Sequence, residues 1–104
     1  MSTKHIFLSA RNWKTPLDFY DSLKLALGSP EEHGQGIDAF IDSMVCGGMN
    51  AVEPPYVVHI EDSSGLPPSV KDEIIELAQE IIRHRREHRV RQGSDVAVAL
   101  QIDT

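Results

Sequence analysis

Three short apolar runs along the chain predict three β-strands. They cover residues 5–10, residues 56–60 and residues 96–102. In the third run, apolar residues alternate with other residues. The second run is also rich in β-branched and aromatic residues, which favour strands because they pack well on a pleated surface. Each interval between these runs is long enough to hold at least one helix.

The first interval is predicted to contain an amphipathic helix from Pro16 to Leu27. Thr15 is a typical N-cap, and proline is common at the first helical position because its fixed φ suits the helix. Gly28, which a Ser-Pro pair follows, is a typical residue to end the helix. The buried stripe is predicted to contain Leu17, Tyr20, Leu23 and Leu27, with Phe19 and Ala26 on its flank.

The most informative segment, residues 32–42, is a glycine-rich turn that leads into a short helix from about residue 36 to residue 45. Its apolar residues recur at helical spacing and predict one buried face. Asp38 and Asp42 are four residues apart and therefore share another face, which costs a bare helix roughly 0.2–0.5 kcal/mol. The helix dipole offsets part of this cost for Asp38, which lies in the first turn, but not for Asp42. Such a pair suits a partner that supplies positive charge. The predicted buried face consists of Ile37, Phe40, Ile41 and Met44.

A long helix is predicted over residues 69–92, with Gly93 immediately after its end. Ser69 and Asp72 have the spacing of a capping box. Acidic residues cluster in the first half of this helix and arginines in the last turns, an order that the helix dipole favours. Its apolar positions with helical period are Val70, Ile74, Leu77, Ala78, Ile81 and Ile82.

The predicted order of elements is β-α-α-β-α-β. Strands that are separated by helical crossovers form a parallel sheet, and each crossover is expected to be right-handed. If the three strands lie in sequence order, every helix falls on one face of the sheet. We therefore predict a two-layer α/β fold with a more open second face, in a single domain that covers residues 1–104.

Composition and charge narrow the possible functions. The chain is 40% hydrophobic and 25% charged, as is typical of globular proteins, and its net charge is −6. This charge argues against non-specific binding of nucleic acid and favours a basic partner. Cys46 is the only cysteine, so no internal disulfide forms and a reducing compartment fits best. Residues 1–10 lack the apolar run of a signal peptide, and no segment is long enough to span a membrane, so we expect a cytoplasmic protein.

Three single residues invite functional readings, but each has a simpler structural interpretation. Cys46 is expected to be buried or half-buried and not nucleophilic, because the negative pole at the end of a helix disfavours a thiolate. His59 lies inside a strand and is expected to be packed. Trp13 is expected to cover the edge of the core. The chain also lacks a Ser/His/Asp order, a P-loop or a dinucleotide fingerprint, so we expect neither an enzyme nor a cofactor.

The long helix carries two further motifs, which leave alternative functions open. Residues 84–88 match the zinc-protease pattern H-x-x-E-H, and the two histidines share a helix face. A further ligand is missing except for Asp95 and Asp103, and the flanking arginines would repel zinc, so no metal site is predicted. The arginines within residues 83–91 are most simply the cation-rich end of a helix. The alternative is an RNA-associated or regulatory module that binds phosphate through this run.

The short helix and its turn resemble the signature of the barstar family, small bacterial intracellular inhibitors of barnase-type ribonucleases. The family frame is an aromatic-rich turn with glycine, then Asn-Leu-Asp-Ala-Leu, one further residue and Asp. Here the frame reads His33-Gly34-Gln35-Gly36-Ile37-Asp38-Ala39-Phe40-Ile41-Asp42. The Gly-Ser-Pro end of the first helix, the second strand, the long helix and the Gly-Ser-Asp entry to the last strand fit too, so the resemblance spans most of the chain.

This resemblance implies a non-enzymatic, one-to-one inhibitor or immunity protein whose partner is a basic ribonuclease. In the family, the turn and the two aspartates block the active site, and their carboxylates occupy the place of RNA phosphates. Asp42 would be the deepest anchor and Asp38 its neighbour, while the family's late-helix acid contact falls near His88. Glu32 and His33 replace turn aromatics, which predicts weaker ring stacking. The implied partner-binding residues are Glu32, His33, Gly34, Gln35, Gly36, Asp38, Ala39 and Asp42.

Overall fold

A parallel sheet of three strands forms one layer of the structure, a computed structural model that describes residues 2–47 and 49–103. The strands are β1 (Lys4–Ser9), β2 (Tyr56–Glu61) and β3 (Val98–Ile102). β2 lies in the middle and pairs in parallel with both neighbours, so the spatial order is β1-β2-β3. The three predicted strands and their parallel arrangement are confirmed.

The helices occupy the crossovers in the predicted order β-α-α-β-α-β. They are α1 (Pro16–Leu27), α2 (Ile37–Ile41) and α3 (Pro68–Gln92). A π-helical turn at Asp42–Cys46 continues α2, and a short 3₁₀ turn at Ser63–Gly65 precedes α3. Within the described ranges, no helix combines the length and the apolarity needed to cross a membrane.

The start of α1 is confirmed, but its buried face is rotated from the predicted one. Thr15 is the N-cap, Pro16 begins the helix, and the Asp18 carboxylate accepts backbone N–H groups before the helix, including that of Thr15 at 3.0 Å. Leu17 is 51% exposed, whereas Phe19 is fully buried. Phe19 is the residue that repeats with Leu23 and Leu27 at intervals of four, so it and not Leu17 faces the core. The buried residues of α1 are Phe19, Tyr20, Leu23 and Leu27.

The long helix α3 also departs from its prediction at two points. It begins at Pro68, with Pro67 as the N-cap and no side-chain cap, so the predicted capping box of Ser69 is wrong. Proline at the first helical position starts the helix one residue earlier and places Ser69 inside the first turn. Ile82 is 59% exposed, because it lies about 100° around the helix from the buried Ile81. Gly93 caps the helix with a positive φ of 74°.

The core lies between the helices and one face of the sheet. Alternate residues of the central strand, Tyr56, Val58 and Ile60, are buried with the apolar faces of the helices. The residues that point the other way are more open, and Phe7 on β1 is 57% exposed. The expectation of a two-layer fold with one more open sheet face is therefore confirmed.

Candidate functional site

The turn before α2 is fixed by its own backbone and by α1. The His33 N–H donates to the Pro30 carbonyl at 2.9 Å, and the Lys24 ammonium of α1 donates to the Glu31 carbonyl at 2.6 Å. A Cβ atom on Gly34 would lie 3.3 Å from the Ala39 side chain, which is a tight contact. The turn therefore lies directly against the first residues of α2.

A continuous series of aromatic contacts connects this turn to the opposite end of α1. The His33 ring lies 4.5 Å from the Phe40 ring between centroids, and Phe40 stacks on Tyr20 at 5.4 Å and 13°. Tyr20 contacts Phe19, and Phe19 contacts Trp13. Trp13 is 8% exposed, as expected for a residue that covers the edge of the core. The ring of His33 thus contacts Phe40 in the core. The predicted weaker stacking concerns the contact of this turn with a partner.

The short helix has the predicted amphipathic character. Phe40 and Ile41 are buried and Ile37 is half-buried, whereas Asp38 and Asp42 are exposed. Met44 in the following π-helical turn is also buried.

The π-helical turn explains why the prediction for Cys46 is wrong. Its closing hydrogen bond runs from the Gly47 N–H to the Asp42 carbonyl at 3.2 Å, which is an interval of five residues. The wider turn changes the direction of the last residue relative to an α-helix. Cys46 is exposed, although it was expected to be buried or half-buried.

Asp42 and the turn residues converge on one surface hollow, which we call the turn hollow. Its volume is about 460 Å³. Both the glycine-rich turn and α2 contribute to it, as does Met49 from the loop that follows the π-helical turn. The turn hollow thus brings together five of the predicted partner-binding residues, Glu32, His33, Gly34, Ala39 and Asp42. The residues that line the turn hollow are Pro30, Glu32, His33, Gly34, Ala39, Asp42 and Met49.

Two of the predicted turn residues lie outside this hollow. The Gln35 side-chain amide donates a hydrogen bond to the Asp21 carboxylate of α1, which holds it away from Asp42. Gly36 is the N-cap of α2 and has an extended backbone that any residue can adopt. These two residues shape the turn, and neither lines the concave surface.

Asp38 lines a second hollow, between α2 and α3, which we call the acidic groove. Its volume is about 500 Å³. The two aspartates predicted on one face of α2 are thus on different concave surfaces, and α2 contributes residues to both. The α3 acids in this groove were not among the predicted site residues, although their spacing of three and four residues is the signal of one helix face. The acidic groove is lined by Ile37, Asp38, Glu73, Glu76, Glu80, Arg83 and His84.

Some of the groove carboxylates already have partners in the fold. The Tyr20 hydroxyl donates a hydrogen bond to Glu73. Burial is the main cause that raises the pKa of Tyr20, and this hydrogen bond raises it further. Arg83 donates to Glu80 with an Nε–Oε2 distance of 3.0 Å, and this hydrogen bond lowers the pKa of Glu80.

The carboxylates at the centre of the predicted site have no such partners. Within residues 2–47 and 49–103, no hydrogen bond or ion pair involves the side chains of Glu32, Asp38 or Asp42. Their charges are therefore available to a binding partner that brings its own cations.

Two arginines near the end of α3, Arg85 and Arg89, contact the chain that leads into β3. The Arg85 guanidinium forms a two-pronged contact with Asp95, at 3.1 Å and 2.7 Å, and donates to the Val98 carbonyl at 2.8 Å. Arg89 lies 3.3 Å from Asp95 as well. The Arg85 hydrogen bond holds the pKa of Asp95 below its usual range. These arginines close the last crossover, which leaves less free positive charge for an RNA contact.

The two histidines of the H-x-x-E-H pattern are used separately. His88 lies outside both hollows, and its Nδ1–H donates to the Ser94 carbonyl at 2.9 Å. His84 lines the acidic groove, 3.4 Å from a Glu80 oxygen. In the part of the chain that the structure describes, no group of three or more histidine, cysteine or acidic side chains is arranged to hold a metal ion.

Comparison with known proteins places this chain in a family. Residues 3–101 match the family model described as barstar, the barnase inhibitor. No curated protein matches the chain at a significant level. Because the family match covers nearly the whole sequence, the chain belongs to the barstar family. At the level of the family, its role is to inhibit a barnase-type ribonuclease and not to catalyse a reaction.

Proposed function

We propose that this barstar-family protein inhibits a basic ribonuclease by covering the active site of that enzyme in a one-to-one complex. Asp42 would pair with the basic groups that otherwise hold RNA phosphate, and the turn of residues 32–36 would contact the rim of the active site. Asp38 would make the neighbouring contact from the acidic groove. As an immunity protein, it would act in the cytoplasm of the cell that produces the ribonuclease.

The observation that carries this proposal is the position of Asp42. Its carboxylate is exposed, lines the turn hollow beside Glu32 and His33, and has no ion-pair partner among the described residues. An arginine or lysine that enters this hollow meets two carboxylates on a surface already fixed by hydrogen bonds. Little ordering is then needed when the complex forms, which favours high affinity.

Electrostatics at longer range supports the same kind of partner. The net charge of −6 accelerates encounter with a basic enzyme, most strongly at low ionic strength. The acidic groove lies next to the turn hollow, because α2 contributes residues to both. Together they present the unpaired carboxylates of Glu32, Asp38 and Asp42 to one partner.

The test is inhibition of a purified barnase-type ribonuclease by the wild-type protein and by an Asp42→Ala variant. Truncating one member of a charge pair that becomes buried in an interface costs about 2–5 kcal/mol, a range that measurements on barstar complexes helped to set. We therefore expect the dissociation constant of the variant to rise by about 30-fold to 4,000-fold. Titration calorimetry measures the dissociation constant, and RNA hydrolysis assays measure the inhibition.

The matched control is Glu61→Ala, which removes the same charge from an exposed residue at the end of β2, outside both hollows. It should change binding only by a small, salt-dependent factor, because it alters steering and no direct contact. Equal binding by the wild type and Asp42→Ala would refute the role of Asp42. A lack of inhibition by the wild-type protein across a set of basic ribonucleases would refute the proposed function.

A further inference from the structure

The open face of the sheet carries a connected polar cluster that the inhibitor function does not use. His59 lies in the centre of this face on β2, diagonal to His5 on β1, because His5 pairs with Val57 in the strand register. The His5 Nδ1 and His59 Nε2 atoms are 2.8 Å apart. On its other side, His59 Nδ1 lies 2.8 Å from the Asp103 carboxylate.

The carboxylate fixes the tautomer of the central imidazole. Asp103 also accepts a hydrogen bond from the Gln101 side chain at 2.9 Å, which fixes the position of its carboxylate. An ionised carboxylate only accepts hydrogen bonds, so the neutral ring of His59 carries its proton on Nδ1. Its Nε2 atom therefore has a lone pair directed at His5, which accepts a hydrogen bond from His5 Nδ1–H.

Packing also fixes the plane of this ring. Phe7 stacks on His59 with a centroid distance of 4.7 Å and an interplanar angle of 14°. The His59 side chain is only 12% exposed, whereas His5 is exposed and can turn about its side-chain torsions. One nitrogen ligand is thus held rigidly, and the second approaches it from the solvent side.

We propose that His5 and His59 form a binding site for a divalent transition-metal ion, with zinc as the expected occupant. The arrangement in which a carboxylate orients a metal-binding histidine is the usual support of such ligands. Imidazole is a favoured ligand of zinc, copper and nickel. Two protein ligands hold the ion and water completes its coordination, so the site is open and exchangeable.

Binding requires the exposed His5 ring to turn. A zinc ion about 2.0–2.1 Å from His59 Nε2, on the axis that now points at His5, leaves no room for His5 Nδ1 at its present distance of 2.8 Å. His5 Nδ1 must therefore swing by roughly 2 Å to a tetrahedral position roughly 3.3 Å from Nε2. The proton on His5 Nδ1 moves to Nε2 through solvent, and Nδ1 then binds the ion. His59 already has the required tautomer, so no net proton is released from the neutral pair.

The test is a titration of the purified full-length protein with zinc ions, followed by calorimetry and by the imidazole proton signals in NMR spectra. We expect one saturable event that shifts the signals of His5 and His59. His5→Ala and His59→Ala should abolish it. Asp103→Asn should weaken it by about 10- to 100-fold, because the orienting carboxylate is lost.

Two outcomes would overturn the proposal, and neither affects the inhibitor function. The first is the absence of saturable binding by the folded wild-type protein. The second is binding that persists in His5→Ala but is lost in His88→Ala, which would place the ion on α3. Because His5 is exposed, the His5→Ala variant is expected to fold, and circular dichroism checks that it does. The test therefore still decides if His59→Ala does not fold. Inhibition of a ribonuclease by His5→Ala should equal that of the wild type.

Discussion

The glycines that end α1 and α3 offer a matched test of the packing beside the candidate site. Gly28 and Gly93 both have a positive φ, 65° and 74°, and both end a helix. They differ in their surroundings. A Cβ atom on Gly28 would lie 2.6 Å from the Cβ of Ala51, whereas a Cβ on Gly93 would meet no atom within 4 Å. The same substitution therefore has a conformational cost at both positions and a steric cost only at the first.

The expected magnitudes follow from these two costs. Alanine in the left-handed region costs about 1 kcal/mol, so we expect Gly93→Ala to lower the free energy of unfolding by that amount. At Gly28 the contact with Ala51 adds about 1–2 kcal/mol, because a separation of 2.6 Å forces the neighbouring loop to move. The total of about 2–3 kcal/mol lowers the melting temperature by roughly 8–12 °C at about 4 °C per kcal/mol.

A double-mutant cycle separates the steric part from the conformational part. Urea unfolding of Gly28→Ala, Ala51→Gly and the double variant gives the free energies of unfolding. In the double variant, we expect recovery of about 1–2 kcal/mol relative to the sum of the single changes, because the contacting methyl group is gone. Additive effects in the cycle, or equal losses for Gly28→Ala and Gly93→Ala, would refute the steric argument.

The same contact connects helix packing to the candidate site. The N–H of Ala51 donates to the Gly28 carbonyl at 3.1 Å, and that of Val52 donates to the Leu27 carbonyl at 3.1 Å. These bonds hold the loop that carries Met49, which lines the turn hollow. Because Gly28→Ala displaces this loop, the Gly28→Ala variant should bind a ribonuclease more weakly than the Gly93→Ala variant does.

Two further predictions concern α3 and its connection to β3. Ile81→Ala should lower the free energy of unfolding by about 2–5 kcal/mol and Ile82→Ala by about 0.5 kcal/mol or less, because only Ile81 is buried; similar urea midpoints would contradict this orientation of α3. Because Arg85 lowers the pKa of Asp95 below its ordinary value of 3.8, the folded state is stabilised above that value, and this contribution disappears as the pH falls through the lowered pKa. The stability difference between the wild type and Asp95→Asn should therefore shrink between about pH 7 and pH 3 in urea titrations, and a constant difference would rule out the ion pair as its cause.

The fold was largely predictable because hydrophobic periodicity and turn residues agree along the chain. The errors arise where two local signals compete. At the start of α1, the spacing of three from Leu17 to Tyr20 competes with the spacing of four from Phe19 to Leu23, and the buried face follows the second. At the start of α3, the Ser69 capping pattern competes with two prolines, and the fixed backbone of Pro68 determines where the helix begins.

The shape of the candidate site was not predictable from the sequence. Sequence spacing places Asp38 and Asp42 on one face of a helix, which is a statement about α2 alone. The surface that each one lines depends on the neighbours of α2: the turn lies against Ala39 on one side, and α3 packs on the other. Those contacts are tertiary, so a local pattern does not contain them. The glutamates of the acidic groove were missed for the same reason.

Total charge is also a weaker guide to the binding surface than the internal pairing of charges. The positive charges of α3 suggest a second, basic surface when the sequence is considered alone. In the folded chain, Arg85 and Arg89 contact Asp95, while Arg83 contacts Glu80. Three of the arginines of α3 thus have carboxylate partners within the fold, whereas Asp42 has no ion-pair partner among the described residues. What distinguishes the turn hollow from the acidic groove is therefore that no arginine or lysine lines it, because a carboxylate that already holds its own arginine has little to gain from those of a ribonuclease.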